Sequence, residues 1–145
     1  MEHYPLLQSV KIENLLKMAD YIEKIPQKVF DMEIFRSGND EKHNCDSIGC
    51  IIGHCVILDS LSNIPYDCDY HSNGEKSIDF HKWCREYTGI HFSSYSGLYL
   101  FSSEWSNIDN TPEGAAKRIR YFVKNGLPFN WSKQLEGSEP LSYNQ

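Results

Sequence analysis

The chain has 145 residues, 40% of them hydrophobic and 23% charged, ordinary values for a folded domain that buries about 68–70% of its unfolded surface without staples. Its net charge of −6 speaks against general nucleic-acid binding, which needs a clustered positive surface. No apolar run approaches the roughly 18 residues of a membrane span, and Met1-Glu2-His3-Tyr4-Pro5 has neither the basic start nor the apolar stretch of a secretory signal, so the expected location is cytoplasmic.

Ile12, Leu15, Leu16, Ala19, Ile22 and Ile25 recur at helical spacing and predict a first helix, capped by Ser9 and stopped by Pro26. Residues 29–35 alternate imperfectly and leave strand, helical turn and packed extended segment open. Residues 36–43 are polar and turn-rich, the composition of an exposed loop. From Ser47 to Leu61 the apolar residues point all ways round, the pattern of a helix covered on most sides. Asp46 or Ser47 can cap it, and Gly49 and Gly53 would let another segment come close.

Residues 63–74 read as a long polar loop. Ser77 is placed to cap a third helix, Ile78 to Thr88, which Gly89 can end with a left-handed residue. Residues 90–102 are rich in aromatics and serines and stay open between a strand and one helical turn. Thr111-Pro112-Glu113 is a cap, a proline at the first helical position and a charge that complements the dipole. The fourth helix that follows has Ala115, Ala116, Ile119, Phe122 and Val123 as its core face and ends at Asn125-Gly126 before Pro128. The predicted fold is mainly α with room for one or two short strands, a compact single domain over residues 1–135 around a buried central helix. The tail, 136–145, has little to bury and is expected to be flexible.

Five cysteines, Cys45, Cys50, Cys55, Cys68 and Cys84, are an odd number in a chain expected in a reducing compartment, so free thiols or a metal fit better than disulfides. The densest reactive cluster runs from Cys45 to Cys55, and on a helix Cys50 and His54 share a face. Simple packing is the leading reading of these residues. A metal site from Cys45, Cys50 and His54, joined by His43, Cys68 or Cys84, fits the usual zinc spacings only by half. A Cys45 nucleophile with His54 as base would have to close about 13 Å of helical rise, unless His81 or His91 supplies the base. His81 and Cys84 otherwise read as structural, and Lys117, Arg120 and Lys124 as a solvated helix face rather than a phosphate or subunit contact.

A site without catalysis is also encoded. Free amides and the Ser47 hydroxyl at the start of the central helix could hold a phosphate, with Arg36 as a clamp. Tyr95, Tyr99, Phe101 or Trp105 could stack on a base or sugar. Against this, Asp46 repels an anion and is well suited to capping the helix alone.

Cys45-Asp-Ser-Ile-Gly-Cys50-Ile-Ile-Gly-His54 resembles the C-G-T-x-x-C-I-A-G-[HW] signature of small uncharacterised proteins of bacteria and their phages. Leu100-Phe101-Ser-Ser-Glu-Trp105 followed by Asn110-Thr-Pro-Glu-Gly-Ala-Ala-Lys-Arg-Ile119 is similar to the second half of that signature, and together they cover most of residues 9–131. This chain departs by carrying Asp46 for Gly and Ser47 for Thr. The resemblance implies a compact fold and a phage or mobile-element setting, and it assigns no catalytic residue.

The expected function is therefore a non-enzymatic binding protein for a small nucleotide-like molecule, using Arg36, Ser47, His54, Tyr95, Tyr99 and Trp105. By analogy of setting it would act in counter-defence by sequestering a host signalling nucleotide. One alternative is a metal- or thiol-dependent hydrolase built on Cys45, Cys50 and His54. The other is a module that inhibits a host protein through the basic face of helix four or the loop at 63–74. The sequence specifies no cofactor and leaves a homo-oligomer open.

Overall fold

Leu15, Met18, Ala19 and Ile22 fall on one face of a helix and are wholly buried, because residues three and four apart meet on the same side of a helical cylinder. This is α1 (Ile12–Ile22) of a computed structural model that describes residues 2–33, 36–37, 48–55 and 80–145, with 36–37 and 48–49 described by backbone alone. Ile12 and Leu16 lie on its outer side and are 42% and 38% exposed. Ser9 does not cap α1: Lys11 stands at the cap position without a side-chain capping bond, and the Ser9 hydroxyl donates to the Gly89 carbonyl instead.

Beyond Pro26 a 3-10 turn, Gln27–Val29, carries Val29 and then Phe30 into the core. The central helix begins later than the sequence predicts. Ile48–Gly49 is a strand, β3, paired antiparallel with β2 (Arg36–Ser37), so the exposed loop expected from residue 36 starts in paired backbone. Helix α2 (Ile51–Cys55) follows, and all five of its described residues are buried against α1 and α3. An Ile-Gly pair inside a continuous apolar run is compatible with either period, and pairing with a strand from the preceding segment decides it here. Asp46, Ser47, the continuation toward Leu61, the loop at 63–74 and the Ser77 cap lie outside the described residues.

Helix α3 (Phe80–Thr88) ends at Gly89, whose φ of 76° is the expected left-handed terminator. The open segment at 90–102 resolves into α4 (Tyr95–Phe101), capped by the Ser94 hydroxyl, which accepts from the Gly97 amide at 3.1 Å. Helix α5 (Pro112–Asn125) starts as predicted, with the Thr111 hydroxyl accepting from the Gly114 amide at 3.0 Å. It packs along α1 in the most extensive helix pair of the described residues. Strand β4 (Leu127–Pro128) pairs antiparallel with β1 (His3–Tyr4), which ties the first described residues to the segment after α5.

The tail is the second correction. After α6 (Trp131–Glu136) the chain turns back through a 3-10 turn, Ser142–Asn144, with Ser142 and Tyr143 buried. Tyr143 is an aromatic ring with a hydroxyl that finds a partner inside, so the segment has more to bury than its polar composition suggests. The fold is thus mainly α around a buried central helix, with two small antiparallel sheets among the described residues. No described helix is long and apolar enough to cross a membrane.

Candidate functional site

The residues singled out in the sequence do not converge. Tyr99 and Trp105 are fully buried, and the Trp105 ring N–H donates to the Tyr99 carbonyl at 2.7 Å, which makes both part of the core. Tyr95, one helical turn before Tyr99, is 67% exposed and its ring lies 5.3 Å from that of Trp131. His54 is buried and its Nε2 sits 2.7 Å from the Val29 carbonyl. Ser47 and Cys45 lie outside the described residues, and Arg36 is described by backbone alone, where it pairs with Gly49. The strand at Ile48–Gly49 removes the helix start that was to hold an anion at Asp46–Gly49.

Cys50 takes up that position instead, directly before α2, where the amides of Gly53 and Ile52 favour a thiolate. Burial outweighs them and pushes the Cys50 thiol up to about 11. Burial also raises Cys84 to about 12 and raises Cys55. Cys84 makes its hydrogen bonds within α3 and to the Ile90 carbonyl. Since the thiolate is the nucleophile and the metal ligand, these three cysteines are held in their unreactive form, and no group of three metal-ligating side chains occurs among the described residues.

A different place has the shape of a binding site. Three glycines let backbones approach closely around it. A Cβ on Gly89 would overlap the Ser9 carbonyl, one on Gly126 (φ 90°) the Tyr4 carbonyl, and one on Gly97 the carbonyls of His91 and Phe92. The arm at residues 3–11 is fastened to the end of α3 by the Lys11 amide on the Thr88 carbonyl (2.8 Å) and by the Lys11 ammonium on the Glu86 carbonyl (2.6 Å). Asn14 adds a bond to the Tyr87 carbonyl at 2.8 Å.

Between this arm and residues 89–96 lies a cleft of about 370 Å³, walled by Tyr4, Leu7 and Val10 on one side and Ile90, His91 and Tyr95 on the other, with Leu127 beneath. No family model, curated protein or solved structure matches the chain. The cleft therefore stands on its own geometry. Leu7 is 73% exposed and Tyr4 48%, so the cleft's edge is open to solvent. Its polar groups are the His91 ring and the hydroxyls of Ser9, Ser94, Ser96, Tyr4 and Tyr95. No Lys, Arg, Asp or Glu lines it.

His91 also lines a second concavity of about 290 Å³ that contains Lys82 and Arg85. An uncharged apolar cleft and a basic hollow thus meet at one histidine. Of the residues named from sequence, Tyr95 belongs to this site, and His91, considered there only as a base, stands at its centre. The signal missed was the exposed Tyr4, Pro5 and Leu7 ahead of a helix whose core face begins only at Leu15.

Proposed function

We propose that the chain is a non-enzymatic binding protein for a small nucleotide-like molecule, acting in the cytoplasm. The planar ring lies in the cleft between Tyr4 and Tyr95, and the anionic group extends past His91 toward Arg85. The observation that carries this reading is the union at His91 of a neutral, aromatic-edged cleft with a basic hollow. A volume of about 370 Å³ falls within the range of small-ligand sites, which are mainly apolar with a few placed polar groups. Arg85 in the adjoining hollow matches a phosphate in charge and geometry. Given the phage-type motif resemblance, the role we assign is sequestration of a host signalling nucleotide. Of the residues of the hydrolase alternative, Cys50 is buried with its thiol pushed up to about 11 and His54 is buried against the Val29 carbonyl, while Cys45 lies outside the described residues.

Calorimetric titration with adenosine, adenosine monophosphate and cyclic mononucleotides tests the assignment. Phosphorylated ligands are expected to bind about tenfold or more tightly than the nucleoside, and Arg85→Ala is expected to abolish that margin, since a charge-assisted hydrogen bond contributes on the order of 1.5–3 kcal/mol. Absence of heat with every ligand, or equal affinity for nucleoside and nucleotide, would refute it.

A further inference from the structure

Arg118 is wholly buried, yet no carboxylate lies within ion-pair distance of it among the described residues. Its Nε and Nη2 donate to the Leu100 carbonyl at 3.3 and 3.2 Å, and its guanidinium carbon sits 4.1 Å from the centre of the Trp105 ring. The remaining side of the guanidinium faces the Tyr143 oxygen, 3.4 Å from Nη1. That hydroxyl donates in turn to Asp109 Oδ2 at 2.8 Å. A phenol oxygen is thus interposed between a buried cation and a carboxylate, accepting from one and donating to the other.

A lone buried charge is costly, and an apolar side chain of similar volume would serve packing at least as well. The arrangement instead has the parts of a recognition site. The Tyr143 ring meets the edge of Trp105 at 6.1 Å and 63°. The wholly buried Gln134 accepts from both the amide (3.0 Å) and the hydroxyl (3.1 Å) of Ser142. Tyr99 Oη is buried with no hydrogen-bonding partner among the described residues. The tail delivering Tyr143 has only a single 3-10 turn of its own.

We propose that Trp105, Asp109, Arg118 and Gln134 form a socket for a phenol carried on a Ser-Tyr segment, and that residues 138–145 are its built-in ligand. The socket selects a phenol over a plain aromatic ring, because only a hydroxyl can bridge Arg118 and Asp109. Its chemistry and location are separate from the cleft at His91.

The test uses the full chain carrying Tyr143→Ala, with p-cresol as probe and toluene as the apolar control. The socket account expects p-cresol to raise the melting temperature of this variant in a saturable way, toluene to raise it distinctly less, and the native chain to respond to neither. Equal effects of the two probes, or no effect of p-cresol, would overturn it. If the variant lacks a cooperative transition, p-cresol should restore one, and failure to do so also counts against the socket. Tyr143→Phe, which keeps the ring, is expected to speed amide hydrogen exchange in residues 138–145 by about tenfold while α1 and α5 stay unchanged. Unchanged exchange in the tail would contradict the role given to the hydroxyl.

Discussion

Gly89 combines two demands that only glycine meets: a φ of 76° and a backbone so close to Ser9 that a Cβ would overlap its carbonyl. Left-handed backbone alone costs an L-residue about 1–2 kcal/mol. Gly89→Ala should therefore lower unfolding stability by about 2 kcal/mol or more, read by urea denaturation, and should weaken any ligand of the cleft it helps to build. The buried acids set a second residue-scale expectation. Cys50 and Cys84 are pushed up to about 11 and 12, and Tyr99 to about 12, by burial. A folded pKa above the unfolded one means that the unfolded chain loses its proton first, so stability is fully present below about pH 8.5 and declines as pH rises toward the folded values. Melting temperatures should be flat from neutral pH to that point and then fall, with the thiols of Cys50, Cys55 and Cys84 inert to alkylation in the native state. Rapid native-state alkylation at these three would contradict the packing.

Among elements, the α1–α5 pair carries the core, and magnitudes separate its parts. Ile119 is wholly buried, so Ile119→Ala is expected to cost about 2–5 kcal/mol. Arg120 binds Asp20 at 2.7 Å and Glu23 at 2.8 Å across the two helices, but all three side chains are substantially exposed. Arg120→Met should cost at most about 1 kcal/mol, shrinking further in high salt, which chemical denaturation of the two variants can resolve. The start of α5 was readable because Thr111-Pro112-Glu113 is a purely local signal. The role of Arg118 was not: it stands one position from Lys117 in what reads as a basic stripe, yet it shares the buried face of Ala115, Ile119 and Phe122. The start of α2 was also misread, since Ile48–Gly49 becomes a strand only through its partner Arg36–Ser37.

At the scale of the molecule, helix content and the buried central helix follow from periodicity, whereas the cleft depends on joining residues far apart in sequence. Ser9 meets Gly89 and Tyr4 meets Gly126, and nothing in local pattern announces either approach. The aromatics expected to stack on a ligand were sorted by that same long-range packing. Tyr99 and Trp105 went inward, while Tyr95 stayed 67% exposed at the cleft edge. The site we propose therefore lies at the seam between the arm and α4 rather than at the start of the central helix. Backbone amide chemical shifts recorded during titration with adenosine monophosphate test this placement most directly. The account predicts saturable shifts concentrated at residues 4–10, 89–96 and Arg85, lost in Tyr95→Ala. Shifts confined to other segments, or shifts that survive Tyr95→Ala unchanged, would contradict it.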